Sequence, residues 1–137
     1  MKCIEFEQFE NLVMEKILQG DTEELKILRA QYRHAKITDR RFSGVGFFAT
    51  FQVDETSPQA TGKCTIRLSD IHAQCDELEH GMGFVLLVTD GRIDELEGAT
   101  YDEPWPEHIS NLKLIFLPMN PADSRDVDYL SRIWHED

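Results

Sequence analysis

The chain has 137 residues, of which 41% are hydrophobic, and this predicts one domain, residues 1–137, that folds around its own core without a disulfide or a metal. Fourteen basic residues against 26 acidic ones give a net charge of −12 at pH 7. That charge excludes nucleic acid and anionic membrane surfaces as partners and favours a basic protein partner, although an acidic surface also serves solubility alone.

Two amphipathic helices are predicted at the N-terminus. Apolar side chains recur at helical spacing over residues 4–19, and Gly20 suits the end of that helix. Asp21 then begins a capping box, with Glu24 three residues later, and predicts a second helix that runs to about residue 36. Because only two residues separate the two segments, we expect a helical hairpin.

Strand patterns follow, separated by turn residues. Residues 46–53 and 64–68 alternate apolar and polar side chains, and Cys64 belongs to the apolar set, which predicts a small core residue there. Residues 69–80 fit either an extended segment or a helix, and we favour the extended one. Residues 83–89 are apolar on both faces, as is typical of a central strand that is covered on both sides.

A tight hairpin is predicted next. The dipeptide Asp90-Gly91 favours a two-residue turn, because both turn residues must tolerate positive φ. The partner strand covers residues 92–101. Ile93 and Leu96 are an odd number of positions apart and cannot share a face of a regular strand, so we predict a bulge near Asp94-Glu95.

The last part of the chain predicts a strand and a helix. Residues 111–117 alternate as a strand, and Asn120 is predicted to cap the helix, with Pro121 at its first position. Segregated helices and strands that are joined by short turns indicate an α+β domain. We therefore predict an N-terminal helical hairpin packed on one face of an antiparallel sheet of four to five strands, with a C-terminal helix.

The sequence carries no motif of catalysis or of metal binding. Its three cysteines form no CxxC pair, and HExxH, GxSxG and phosphate-loop patterns are absent. The acids of residues 94–97, with His80, supply the side-chain types of a divalent-metal site or an acid–base pair, but a solvated hairpin edge is the simpler interpretation. We predict no catalytic residue, no metal and no cofactor, and interpret Cys75 as a buried, inert thiol.

The N-terminal sequence bears on location. Its first ten residues contain a lysine but no apolar segment, and acids follow at once, which argues against a secretory signal and predicts a cytoplasmic protein. No run approaches the about 18 apolar residues that cross a membrane.

The strongest candidate for a working surface is the acidic hairpin with the aromatic segment that follows it. Pro104 and Pro106 stiffen the backbone around Trp105, and tryptophan is a frequent anchor of binding interfaces. Two interpretations of Trp105 stay open: it is displayed as a recognition anchor, or it folds back and closes the end of the sheet. An ion pair of Arg40 or Arg41 with the hairpin acids is the structural alternative to a binding role. The predicted binding residues are Arg41, Asp94, Glu95, Glu97, Tyr101 and Trp105.

Two segments resemble a family of small bacterial proteins of unknown function. They are RRFSGVGFFATFQV, residues 40–53, and HGMGFVLLVTDGRIDELEGATYDEPWP, residues 80–106. The resemblance implies a compact bacterial domain and draws attention to Glu97 and Trp105, but it implies no activity and no catalytic residue. The matching positions are Arg41, Phe42, Gly44, Val45, Gly46 and Phe47, and then Gly83, Phe84, Leu86, Asp90, Gly91, Leu96, Glu97, Gly98, Tyr101, Trp105 and Pro106.

These observations favour a small, acidic, soluble interaction module that binds a basic protein partner. An immunity protein that neutralises a toxin fits this description, since opposite charge speeds the encounter of two proteins. One alternative is an enzyme or a small-ligand-binding protein with a pocket at the end of the sheet, around Arg41, Glu97, Tyr101 and Trp105. A subunit of a larger assembly is another.

Overall fold

The computed structural model describes residues 3–136, which form an α+β domain as predicted. The helices are α1 (Phe6–Ile17), α2 (Glu23–His34) and α3 (Val127–His135). The strands are β1 (Lys36–Phe42), β2 (Gly46–Gln52), β3 (Thr65–Leu68), β4 (Ile71–Gln74), β5 (Met82–Thr89), β6 (Arg92–Thr100) and β7 (Lys113–Phe116). Within residues 3–136, no helix has both the length and the apolar composition to cross a bilayer.

The seven strands of the described chain form one antiparallel sheet. Their order is β1-β2-β6-β5-β4-β7, and β3 pairs with β5 beside β4. The sheet therefore has more strands than the four to five that the sequence predicted. The two strands beyond that count are β1 and β4. The charged residues KITDRRF of β1 are mostly exposed because it lies at the edge of the sheet, and β4 lies in the segment 69–80, which fitted either an extended segment or a helix.

The hydrophobic core lies on one face of this sheet. Buried side chains of all three helices, such as Phe9, Leu28 and Trp134, belong to one cluster with buried side chains of the strands. The prediction that β5 is covered on both sides is wrong. That strand is central, but its residues alternate strictly between buried positions that face the helices and partly exposed positions on the other face. The partly exposed residues are Gly83, Val85, Leu87 and Thr89.

Two helix starts differ from the prediction. The N-cap of α2 is Thr22 rather than Asp21, and the Thr22 hydroxyl accepts a hydrogen bond from the backbone N–H of Leu25. The N-cap of α3 is Asp126, well beyond the predicted cap at Asn120. The Asn120 side chain instead closes a turn, because its oxygen accepts the backbone N–H of Ser124, 3.0 Å away.

The turn between β5 and β6 has the predicted geometry and is held by hydrogen bonds to a side chain of α2. Asp90 and Gly91 both have positive φ, 51° and 75°. Gln31, a buried residue of α2, donates from Nε2 to the carbonyl of Gly91 at 2.8 Å and accepts the N–H of Ile93 at 3.0 Å. The predicted bulge is also confirmed, since the pairing of β5 with β6 skips Asp94. The hydrogen bonds of Gln31 and the bulge therefore fix the position of the hairpin's acids.

Candidate functional site: the open face of the sheet

The open face, the sheet surface opposite the helices, carries two rows of residues that the strand register places side by side. The rows cross β1, β2, β6 and β5, and the second row continues into β3. The first row is Arg41, Phe48, Glu97 and Val85, and the second is Asp39, Thr50, Glu95, Leu87 and Arg67.

In these rows two carboxylates stand between apolar side chains. Glu95 and Glu97 occupy the central strand β6, and the half-buried Phe48, Val85 and Leu87 lie on the two strands beside it. Directly opposed side chains on one face of a sheet are about 5 Å apart, so the acids and the apolar groups form one continuous surface. That surface combines apolar contact area with negative charge.

Arg41 is only loosely held at the edge of this face. Its Nη2 lies 3.8 Å from Glu95 Oε2, its Nε lies 3.5 Å from Asp39 Oδ2, and its guanidinium lies 5.1 Å from the ring centre of Phe48. The Arg41 side chain is 61% exposed. An ion pair this exposed contributes less than about 1 kcal/mol to stability, so Arg41 is free to exchange Glu95 for another partner.

The three predicted acids differ in how they are engaged. Asp94, the bulge residue, accepts a hydrogen bond of 2.7 Å from the Thr89 hydroxyl and is used locally. Glu95 is partly covered and faces Arg41. Glu97 is exposed, and among residues 3–136 it forms no ion pair. Glu97 is thus the acid that is available to another molecule.

Tyr101 folds back from the end of β6 over the open face. Its hydroxyl lies above Gly83, where a Cβ atom would clash with Tyr101 Oη. His72 of β4 stacks on the Tyr101 ring, with centroids 6.1 Å apart and planes 22° apart. Burial lowers the pKa of His72, which favours the neutral imidazole in this stack. Tyr101 and Glu97 line the same groove, which has a volume of about 250 Å³.

Trp105 lies with the core and does not join this surface. Its ring centre is 5.4 Å from that of Phe47 and 5.9 Å from that of Phe9, both fully buried residues of the core. Its backbone N–H donates to the carbonyl of Gly44 at 2.8 Å. Of the two interpretations that the sequence left open, Trp105 therefore follows the second and closes the end of the sheet.

The predicted pocket around Arg41, Glu97, Tyr101 and Trp105 is divided in the structure. Glu97 and Tyr101 share the groove on the open face, whereas Trp105 lines a different cavity of about 440 Å³. Arg41 lines neither of them. Of the predicted binding residues, the structure brings Arg41 and Glu95 together, and separately Glu97 and Tyr101.

The cavity beside Trp105 contains a hydrogen-bonded chain that the sequence did not reveal. Ser110 donates from its backbone N–H and its hydroxyl to Glu77, at 2.8 and 2.6 Å, and Cys3 Sγ lies 3.4 Å from Ser110 Oγ. The Ser110 hydroxyl lowers the pKa of Glu77, which holds the carboxylate charged. Ser110 is fully buried, and its hydrogen bonds to Glu77 join two loops.

The three cysteines carry free thiols. The prediction that Cys64 is a core residue is wrong, because its side chain is exposed. The strand β3 begins one residue later, and of its residues only Ile66 and Leu68 point into the core. Cys75 is buried as predicted, and burial raises the pKa of its thiol. No group of three or more His, Cys, Asp or Glu side chains within residues 3–136 is placed to hold a metal ion.

Comparison with known proteins gives no match for this chain. No protein family matches it, and neither a curated protein nor a solved structure does.

Proposed function

We propose that this protein is an interaction module that binds a basic protein partner through the open face of its sheet. The observation that carries the proposal is the pair of rows in which Glu95 and Glu97 stand between Phe48, Val85 and Leu87. Apolar contact area supplies affinity, and carboxylates set among apolar groups select a partner with matching cations.

The overall charge supports the same conclusion. At −12, the protein attracts cationic proteins over a distance of about 10 Å at moderate salt and repels a second copy of itself. A face-to-face dimer would also bring the acids of one open face towards those of the other. A basic partner fits both the face and the net charge better than self-association does.

An immunity protein of a bacterial cell, which neutralises a cationic toxin in the cytoplasm, is the specific form of this proposal that we favour. Such a protein binds its target and needs no chemistry of its own. The three free thiols agree with a reducing compartment.

Partner capture with charge-matched variants tests the proposal. We expect the wild-type protein to retain one or more basic proteins from an extract of the source organism at low salt, and the double variant E95Q/E97Q to lose them. The double variant E55Q/E107Q removes the same charge at exposed positions outside the open face and should retain them. Equal capture by both double variants, or no captured protein at low salt, would contradict the proposal.

A further inference from the structure

The groove between Tyr101 and Leu117 is a concavity of the open face that is lined mostly by apolar groups. Gly83, Val85 and Ala99 lie on its floor on adjacent strands, and the absence of a side chain at Gly83 leaves room for the Tyr101 hydroxyl at one end of the groove. Tyr101 and Leu117 are 48% and 37% exposed and form its walls. The groove is therefore apolar over most of its surface.

One charged side chain lines this groove, and it is the unpaired acid. Glu97 lies beside Val85 in the register and at the groove's rim, and no lysine or arginine lines the groove. One face of the Tyr101 ring stacks on His72, while the half-exposed ring keeps a surface towards solvent. A group that fits must carry a cation at the end of an apolar stem.

We propose that this groove takes an arginine side chain of the partner; the inference rests on the proposed function and names its anchor. The arginine stem would cover Val85 and Ala99, and the planar guanidinium would contact the Glu97 carboxylate and the Tyr101 ring. Arginine suits this position better than lysine, because the guanidinium binds a carboxylate through two hydrogen bonds and stacks on aromatic rings. A groove of about 250 Å³ has room for one such side chain.

A small probe tests the groove without the unknown partner. N-acetyl-arginine amide is titrated into the ¹⁵N-labelled protein, with N-acetyl-citrulline amide as the uncharged analogue of the same shape. We expect saturable amide shifts that centre on Gly83, Val85, Ala99 and Tyr101 with the arginine probe, and binding weaker by about fivefold or more with the citrulline probe. The affinity of N-acetyl-lysine amide should lie between those of the arginine and citrulline probes.

Three variants assign the binding to the groove. E97Q should weaken binding of the arginine probe by about fivefold. G83A should weaken it similarly, because the new Cβ displaces the Tyr101 hydroxyl end, and its unchanged shifts elsewhere would show that the fold is intact. E107Q removes an exposed carboxylate outside the open face, which does not line the groove, and should leave the affinity unchanged.

Two outcomes would overturn the inference: shifts that spread over all acidic surfaces, or equal weakening of arginine-probe binding by E107Q and E97Q. The inference can fail alone. If the partner is lost with E95Q/E97Q but the arginine probe gives no localised shifts, partner binding stands and the arginine anchor falls. If the probe binds the groove but no partner is captured, the groove stands and the proposed function falls.

Discussion

Two neighbouring arginines on β1 have opposite surroundings because successive residues of a strand point to opposite faces. Arg40 points to the helix side and donates two hydrogen bonds, of 3.1 and 2.8 Å, to the carboxylate of Glu10 on α1. Glu10 is only 3% exposed. The hydrogen bond that Arg40 donates to Glu10 raises the pKa of Arg40. Arg41 points to the open face, where it is solvated and loosely paired.

Replacing each arginine by methionine separates these two roles. R40M leaves the buried Glu10 carboxylate without its partner, so we expect the free energy of unfolding to fall by about 3 kcal/mol. R41M, the matched control one residue away, should change it by less than about 1 kcal/mol. Urea unfolding followed by tryptophan fluorescence measures both. Equal losses in the two variants would show that the Glu10 pair does not carry the contact between α1 and β1.

At the scale of elements, the β5–β6 hairpin was readable from the sequence because its determinants are local. The Asp90-Gly91 dipeptide sets the turn, and the odd spacing of Ile93 and Leu96 requires the bulge. From that hairpin, the alternation also places Glu95 and Glu97 on one face. Much of the candidate site therefore follows from period-two patterning alone.

The features that the sequence did not predict depend on contacts between distant segments. An edge strand such as β1 buries little, so its side chains show no strong alternation. Trp105 turns inward because Phe9 and Phe47 meet it there, and no local pattern encodes that contact. A strand's own sequence also does not reveal that helices cover only one face of the sheet. For that reason Val85 and Leu87 were predicted to lie on a covered face of β5.

The loop that follows β6 is tied to the loop before β5 by one carboxylate, which makes their contact sensitive to pH. Glu103 accepts the backbone N–H groups of Glu79 and His80, both at 2.9 Å. These two hydrogen bonds lower the pKa of Glu103 below its ordinary value of 4.5. A lowered pKa in the folded state means that the charged form stabilises the fold above the unfolded-state pKa and that this contribution is lost as pH falls through the folded-state pKa.

Thermal unfolding of the wild type and of E103Q between about pH 7 and about pH 3 tests the contribution of the Glu103 carboxylate to stability. The wild type should be more stable than E103Q near neutral pH. The difference should shrink as pH falls from about 4.5 through the lower folded-state pKa of Glu103, below which both side chains are neutral. E107Q, an exposed acid of the same loop, is the control, and its difference from the wild type should stay small throughout. A gap for E103Q that persists at the lowest pH would show that the amide substitution perturbs the loop in another way.

At the scale of the whole molecule, the net negative charge favours binding of a cationic partner but destabilises the folded state. The three helices and one face of the sheet form a single core, which leaves the other face for contact with a partner. The charge of −12 concentrates cationic partners around the protein, and the same charge opposes the compact state through self-repulsion. Salt screens both interactions. It weakens the attraction of cationic partners, and it also weakens the self-repulsion that destabilises the fold.

Sodium chloride should therefore stabilise the fold while it weakens partner capture. Between about 0.01 and 0.15 M salt, the Debye length falls from about 30 Å to about 8 Å, so repulsion among the surface acids is reduced and the unfolding temperature should rise. Over the same range, steering of a basic partner weakens and the captured amount should fall. The variant E55Q/E107Q is less acidic but keeps the open face, so its unfolding temperature should depend less on salt while its capture still falls. An unfolding temperature that falls with salt would mean that the ion pairs of the folded state, such as Glu10 with Arg40, outweigh the net repulsion.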